Sequence, residues 1–119
     1  MKKIYYLKSC NTCMRIIKEI NPCPDFIIQN LKVEPLTVEQ LHTLYNFTNS
    51  YEALFNKRAK LFREMGLGNN KLREKDYKHY LLQHYTYLKR PVIVIDKTIF
   101  IGNSKKVVAS AQAQIAQLK

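Results

Sequence analysis

Val92-Ile93-Val94-Ile95 is an unbroken β-branched run, and only Asp96-Lys97 separates it from Thr98-Ile99-Phe100-Ile101. Two short apolar segments joined by two polar residues read as an antiparallel hairpin. A hairpin this apolar must be built into a sheet and covered, which is the tightest constraint on the fold. At the other end of the chain, residues 4–7 (Ile-Tyr-Tyr-Leu) are short, apolar and β-forming, and read as a buried strand. Lys8-Ser9-Cys10 then turns the chain. Cys13, Ile16, Ile17 and Ile20 follow at the i, i+3, i+4, i+7 spacing of an amphipathic helix, which Asn21-Pro22 ends. Residues 25–31 contain Phe26-Ile27-Ile28 and read as a second strand.

The middle of the chain reads as helical. Thr37-Val38-Glu39-Gln40 has the capping-box pattern, with Leu36 and Leu41 in staple positions, and predicts a helix over 38–47 broken by Asn49-Ser50. Residues 54–65 read as a basic helical stretch ending near Gly66 and Gly68. Tyr77, Leu81 and Tyr85 mark one face of a further helix, carrying His79 and His84, that stops before Pro91. Ser104 caps a last helix running through Val107, Val108, Ala111, Ile115 and Leu118. The order is βαβ, a helical middle, then ββα. It predicts an α/β protein with a mixed, helix-covered sheet of thioredoxin-like arrangement. Residues 1–119 form one domain on this reading, with a helical insert over about 37–90.

Composition narrows the partners. The chain has 119 residues, 20 Lys and Arg against 9 Asp and Glu, and a formal net charge of +11. Such a surplus favours acidic partners: nucleic acid, an anionic surface or small oxyanions. Tyr77, Tyr80, Tyr85 and Tyr87 fall mostly at helical spacing, which suits core and rim rather than a base-stacking platform, so nucleic acid is not the expected partner. No apolar run approaches the roughly 20 residues of a spanning helix, and Lys8 interrupts the signal-like start. A cytoplasmic protein without a membrane partner, with its thiols reduced, is expected.

Three cysteines make a poor disulfide framework, and two of them form Cys10-x-x-Cys13. Cys10 lies where the first strand meets the first helix. A thiolate there faces unpaired backbone N–H groups and the positive end of the helix dipole, so its pKa should fall. Asn11 and Thr12 fill the first turn and can add donors for an oxyanion. Cys13 lies on the apolar stripe of the helix, and suits either a resolving thiol or a small core residue. A closed zinc site would need two more ligands, and Cys23, His42, His79 and His84 lack paired metal spacing, so no metal is expected. Lys57, Arg58, Lys60 and Arg63 read, by composition alone, as a solvated helix face.

Four segments in register carry a family resemblance: residues 6–13 (Tyr-Leu-Lys-Ser-Cys-Asn-Thr-Cys), 34–41 (Glu-Pro-Leu-Thr-Val-Glu-Gln-Leu), 54–62 (Leu-Phe-Asn-Lys-Arg-Ala-Lys-Leu-Phe) and 88–94 (Leu-Lys-Arg-Pro-Val-Ile-Val). Together they resemble the arsenate reductase (ArsC)/Spx family, and Lys8-Ser9-Cys10-Asn11-Thr12 is similar to its glutathione-linked reductase-like branch. The resemblance implies a thioredoxin-like core with a helical insert, Cys10 as nucleophile, and Cys13 as the second cysteine of the redox-sensing Spx branch. It implies that Arg58 and Arg90 hold an oxyanion or a glutathione carboxylate, and that Pro91 is a cis proline. No bound cofactor is implied; glutathione, a glutaredoxin or a thioredoxin would supply electrons. The implied function is a thiol-dependent oxidoreductase acting on an arsenate-like oxyanion or a disulfide. The alternative is a non-catalytic, redox-sensing regulator that binds RNA polymerase. Met14 stands where the reductases carry an arginine, Tyr6 where they carry a histidine, and Ser50 where Spx carries the glycine of its polymerase contact.

Overall fold

The computed structural model describes residues 1–64, 66 and 72–119. It divides into two units, Met1–Glu34 with Arg90–Lys119, and Pro35–Lys89.

The first unit holds a mixed four-stranded sheet built from β1 (Lys2–Tyr6), β2 (Ile27–Asn30), β3 (Val92–Ile95) and β4 (Thr98–Ile101), in the order β2-β1-β3-β4. β1 runs parallel to β2, with Ile4 opposite Ile28, and antiparallel to β3, with Ile4 opposite Ile93. β3 and β4 form the expected hairpin, Ile93 facing Phe100. Helix α1 (Asn11–Ile20) is the crossover between the parallel strands. Its Ile16 and Ile20 pack with Val108, Ala111 and Ile115 of α5 (Lys105–Gln117) against Ile4, Ile93 and Ile95 of the sheet. Ser104 caps α5 by accepting the Val107 N–H at 3.2 Å. This is the thioredoxin-like α/β arrangement that the element order predicts.

Two boundaries differ from the sequence reading. β1 begins at Lys2 because backbone pairing with Ile95 and Val94 recruits both lysines whatever their polarity. The Lys2 ammonium lies 3.6 Å from Asp25 and 4.0 Å from Asp96. Asp25 precedes β2 in a turn, whereas the Leu31 N–H, just past β2, still donates to the Tyr6 carbonyl at 2.9 Å.

In the second unit, α2 (Val38–Thr48) starts with both halves of the capping box formed. Gln40 N–H donates to Thr37 Oγ1 at 3.0 Å, and Thr37 N–H to Gln40 Oε1 at 3.1 Å. The basic stretch over 54–65 is not one helix. Leu54 closes a single 3-10 turn (Glu52–Leu54), Phe55 bridges antiparallel to Leu88, and only α3 (Lys60–Glu64) is α-helical. The reason is tertiary: the Asn56 N–H donates to the Tyr87 carbonyl at 2.7 Å and the Lys89 N–H to the Leu54 carbonyl at 2.9 Å, bonds a local helix would forbid. The expected end of that stretch, Met65 and Gly68, lies outside the described residues. Helix α4 (Glu74–Gln83) includes Tyr77, Leu81 and His79 but stops before His84 and Tyr85. His84 is extended, and its Nδ1 accepts the Thr86 N–H at 3.1 Å, capping a 3-10 turn (Tyr85–Tyr87). A ring nitrogen that caps a turn cannot also continue the helix.

Candidate active site

Cys10 is the N-cap of α1, with extended backbone (φ −93°, ψ 111°). Two hydrogen bonds from backbone N–H groups hold the loop that delivers it. The Cys10 N–H donates to the Leu7 carbonyl at 3.0 Å, and Lys8 N–H donates to Asn30 Oδ1 at 3.3 Å. Asn30 Oδ1 also accepts the Lys32 N–H at 3.4 Å, so one side chain at the end of β2 ties together the segments after β1 and β2. Leu7, which acts through its backbone carbonyl, is not singled out by its residue type. An asparagine closing an apolar strand is the one signal that could have pointed to Asn30.

The two thiols differ sharply. Partial burial pushes the Cys10 thiol up, but the Cys13 N–H and thiol, the Arg90 guanidinium and the Thr12 N–H together outweigh it and hold its pKa below the ordinary value. The sulfur makes no N-cap hydrogen bond of ordinary geometry. The effect is that of donors and charge gathered at a helix N-terminus, favouring a thiolate. Cys13 is fully buried, and burial foremost, with the Cys10 charge added, pushes it up to about 11. One turn of helix therefore places an ionisable sulfur beside a protonated one. All three cysteines are free.

The remaining residues read from the sequence divide between the units. Asn11 is exposed at the first position of α1; Thr12 is half-buried, and its backbone N–H acts at the sulfur. Arg90 immediately precedes Pro91 across a cis peptide bond, in the unit that carries Cys10, and its charge acts on both thiols. Arg58 belongs to the other unit, where it is exposed and its backbone N–H donates to Asn56 Oδ1 at 3.1 Å. Met14 is 39% exposed, while Arg15 turns along the helix to Glu19 at 3.3 Å. Cys23 is half-buried against the first unit's core. Among the described residues no group of three or more His, Cys, Asp and Glu converges to hold a metal, and no helix is long and apolar enough to cross a membrane.

This backbone is similar to that of the protein YffB (TM-score 0.76, 18% identity, 94% of this chain and 99% of that one). It is also similar to an arsenate reductase from Vibrio cholerae (TM-score 0.68, 19% identity, 99% and 97%). At those identities the likeness is one of fold. In sequence, the global transcriptional regulator Spx of Streptococcus pneumoniae strain R6 is 25% identical over 105 residues, 86% of this chain and 78% of that protein. The model of the ArsC family matches residues 5–111, from the end of β1 to the middle of α5, so it takes in the cysteine pair, Arg90 and Pro91. The chain belongs to the ArsC family.

Proposed function

We propose that this protein is a thiol-dependent oxidoreductase in which Cys10 is the nucleophile. The observation that carries the reading is the asymmetry of the pair: Cys10 held below the ordinary thiol range and Cys13, one turn on, held well above it. With a disulfide substrate, the Cys10 thiolate forms a new S–S bond to one sulfur and the other leaves as a thiolate. Cys13, once deprotonated, or an external thiol then attacks Cys10 and releases the second sulfur as a thiol. With an arsenate-like oxyanion, Cys10 forms an S–As(V) bond and a protonated oxygen leaves as water. A second thiol attacks the cysteine sulfur, the S–As electron pair stays on arsenic, and As(III) and a disulfide result. Glutathione, a glutaredoxin or a thioredoxin supplies that thiol, in a compartment such as the cytoplasm that keeps thiols reduced. The helix N-terminal amides of Thr12 and Cys13, with the Arg90 charge, stabilise the anion.

Mass spectrometry after incubation with glutathione disulfide or with arsenate plus glutathione tests this. A mixed disulfide or arsenic adduct should form on Cys10 and vanish in Cys10→Ser. Adducts that survive Cys10→Ser would overturn the assignment. Alkylation of Cys10 should also half-saturate below the free-thiol pKa of about 8.5.

A second reading, a redox-sensing regulator, is favoured by the Spx relative and by the presence of both cysteines. Here a two-electron oxidant such as a peroxide, itself reduced to water or alcohol, converts the Cys10 and Cys13 thiols to a disulfide that alters binding to RNA polymerase. Capture of the polymerase under oxidising but not reducing conditions would support it, and equal or absent capture would remove it.

A further inference from the structure

Away from the cysteines, within the second unit, Val38, Glu39, His42 and Thr43 of α2, Tyr51, and Lys78 of α4 line an open groove of about 360 Å³, with Val38, Glu39, His42 and Lys78 exposed at its rim. That is the low end of the roughly 300–1,000 Å³ typical of small-molecule sites. The groove beside Arg15 and Lys105 in the first unit, at about 180 Å³, falls below it.

Tyr51 is held before any ligand arrives. Its backbone N–H and that of Glu52 donate to the two oxygens of Glu74 at 2.7 and 3.1 Å. Its ring stacks on Tyr45, centroids 4.4 Å apart and planes 26° off parallel. The Lys78 ammonium stands over the same ring, 6.0 Å from the centroid. A ring stacked on one side keeps one face for a ligand, and a cation resting on an aromatic face is easily exchanged for a better partner. His42 adds a ring donor. The Glu39 carboxylate opposes a bare anion but accepts from an amine or a ring N–H.

We propose that this groove binds a planar, amine-bearing aromatic ring joined to an anion, the chemistry of an adenine mononucleotide. The ring stacks on Tyr51, the amine donates to Glu39, and the Lys78 ammonium moves from the Tyr51 face to the phosphate with His42 beside it. The ligand must carry both parts: phosphate alone meets Glu39, and the ring alone leaves Lys78 unused. The site shares no residue with the thiol chemistry and does not depend on it.

Calorimetric titration of the full chain with adenosine monophosphate, adenosine and inorganic phosphate separates these terms. Saturable binding of the monophosphate is expected, with adenosine about tenfold weaker and inorganic phosphate without saturation. Tyr51→Leu and Lys78→Met should each weaken the monophosphate by about tenfold, and Tyr51→Phe, which keeps the stacking ring, should hold it within about twofold. Circular dichroism of each variant confirms that it folds. The proposal fails if the monophosphate and inorganic phosphate bind alike, which is attraction to net charge only. It fails equally if Tyr51→Phe loses as much as Tyr51→Leu, or if no binding saturates by 10 mM, a concentration far above the range of a specific site of this size (about 1 mM corresponds to only 4 kcal/mol).

Discussion

The two units are held together by different chemistry. In the first, aliphatic side chains from regular elements make the core: Ile4, Ile93 and Ile95 of the sheet against Ile16, Ile20, Val108 and Ile115 of two helices. In the second, the centre is a ring. Phe55, 1% exposed, lies 5.2 Å from Phe62, 5.0 Å from Tyr77 and 5.4 Å from Tyr87, the last nearly parallel at 14°. These rings come from short elements and turns rather than from one long helix. Each packing mode leaves its own mark on what can be foreseen. Aliphatic packing on regular elements repeats with the period of the element, while an aromatic cluster gathers residues from unrelated points of the chain.

The contrast can be broken most forcefully at its centre. Phe55→Ala should cost about 3–5 kcal/mol, as full truncation of a buried aromatic does, whereas Ile93→Val in the first unit should cost only about 0.5–1.5. Chemical denaturation measures both; equal costs would deny Phe55 its central place.

A smaller effect sharpens the contrast from the side of the sheet. Cys13 is held protonated up to about 11 in the folded protein, above its unfolded value near 8.5. The unfolded chain therefore loses this proton first as pH rises. The stability Cys13 contributes is complete below about pH 8.5 and declines as pH climbs to 11, by on the order of 3 kcal/mol. Denaturation of the wild type and of Cys13→Ala at pH 8 and pH 10.5 should show the variant with the shallower decline.

The helix caps offer a matched pair, one in each unit. Thr37→Ala and Ser104→Ala each remove a side-chain acceptor from a helix N-terminus, and each should cost about 1 kcal/mol. Thr37→Ala should be the larger, because the Gln40 half of the capping box is left without its reciprocal bond. The least change belongs to chemistry. Arg90→Gln should raise the Cys10 pKa and slow its alkylation at pH 7 by on the order of twofold to fivefold, since the arginine is one of several groups favouring the thiolate.

Local signals carried much of the fold. The α2 capping box, the β3–β4 hairpin, the Ser104 cap and the α1 stripe are all patterns of neighbours within one element, and each formed. Residues 54–64 and the His84–Tyr85 junction depart from the helical reading for two reasons: hydrogen bonds between distant segments, from Asn56 to Tyr87 and from Lys89 to Leu54, outweigh local helical tendency in the first, and the His84 ring caps the Tyr85–Tyr87 turn in the second. The site was legible to the same degree. Cys10 at a strand–helix junction announces an activated sulfur. The loop anchors, Leu7 through its backbone and Asn30 through its amide, have no signature in residue spacing.

The charge and the cysteine pair were therefore settled by the chain alone, as were the strand–helix alternation and the helix caps. These depend on residues a few positions apart, whose geometry regular backbone dictates. The tertiary structure decided how far the two thiols are driven apart, by burying Cys13 completely and bringing the charge of Arg90, distant in the chain, to act on Cys10. It also decided where the middle of the chain abandons the helix for turns and a bridge. Burial and long-range hydrogen bonds are properties of the packed molecule, and no local pattern specifies them.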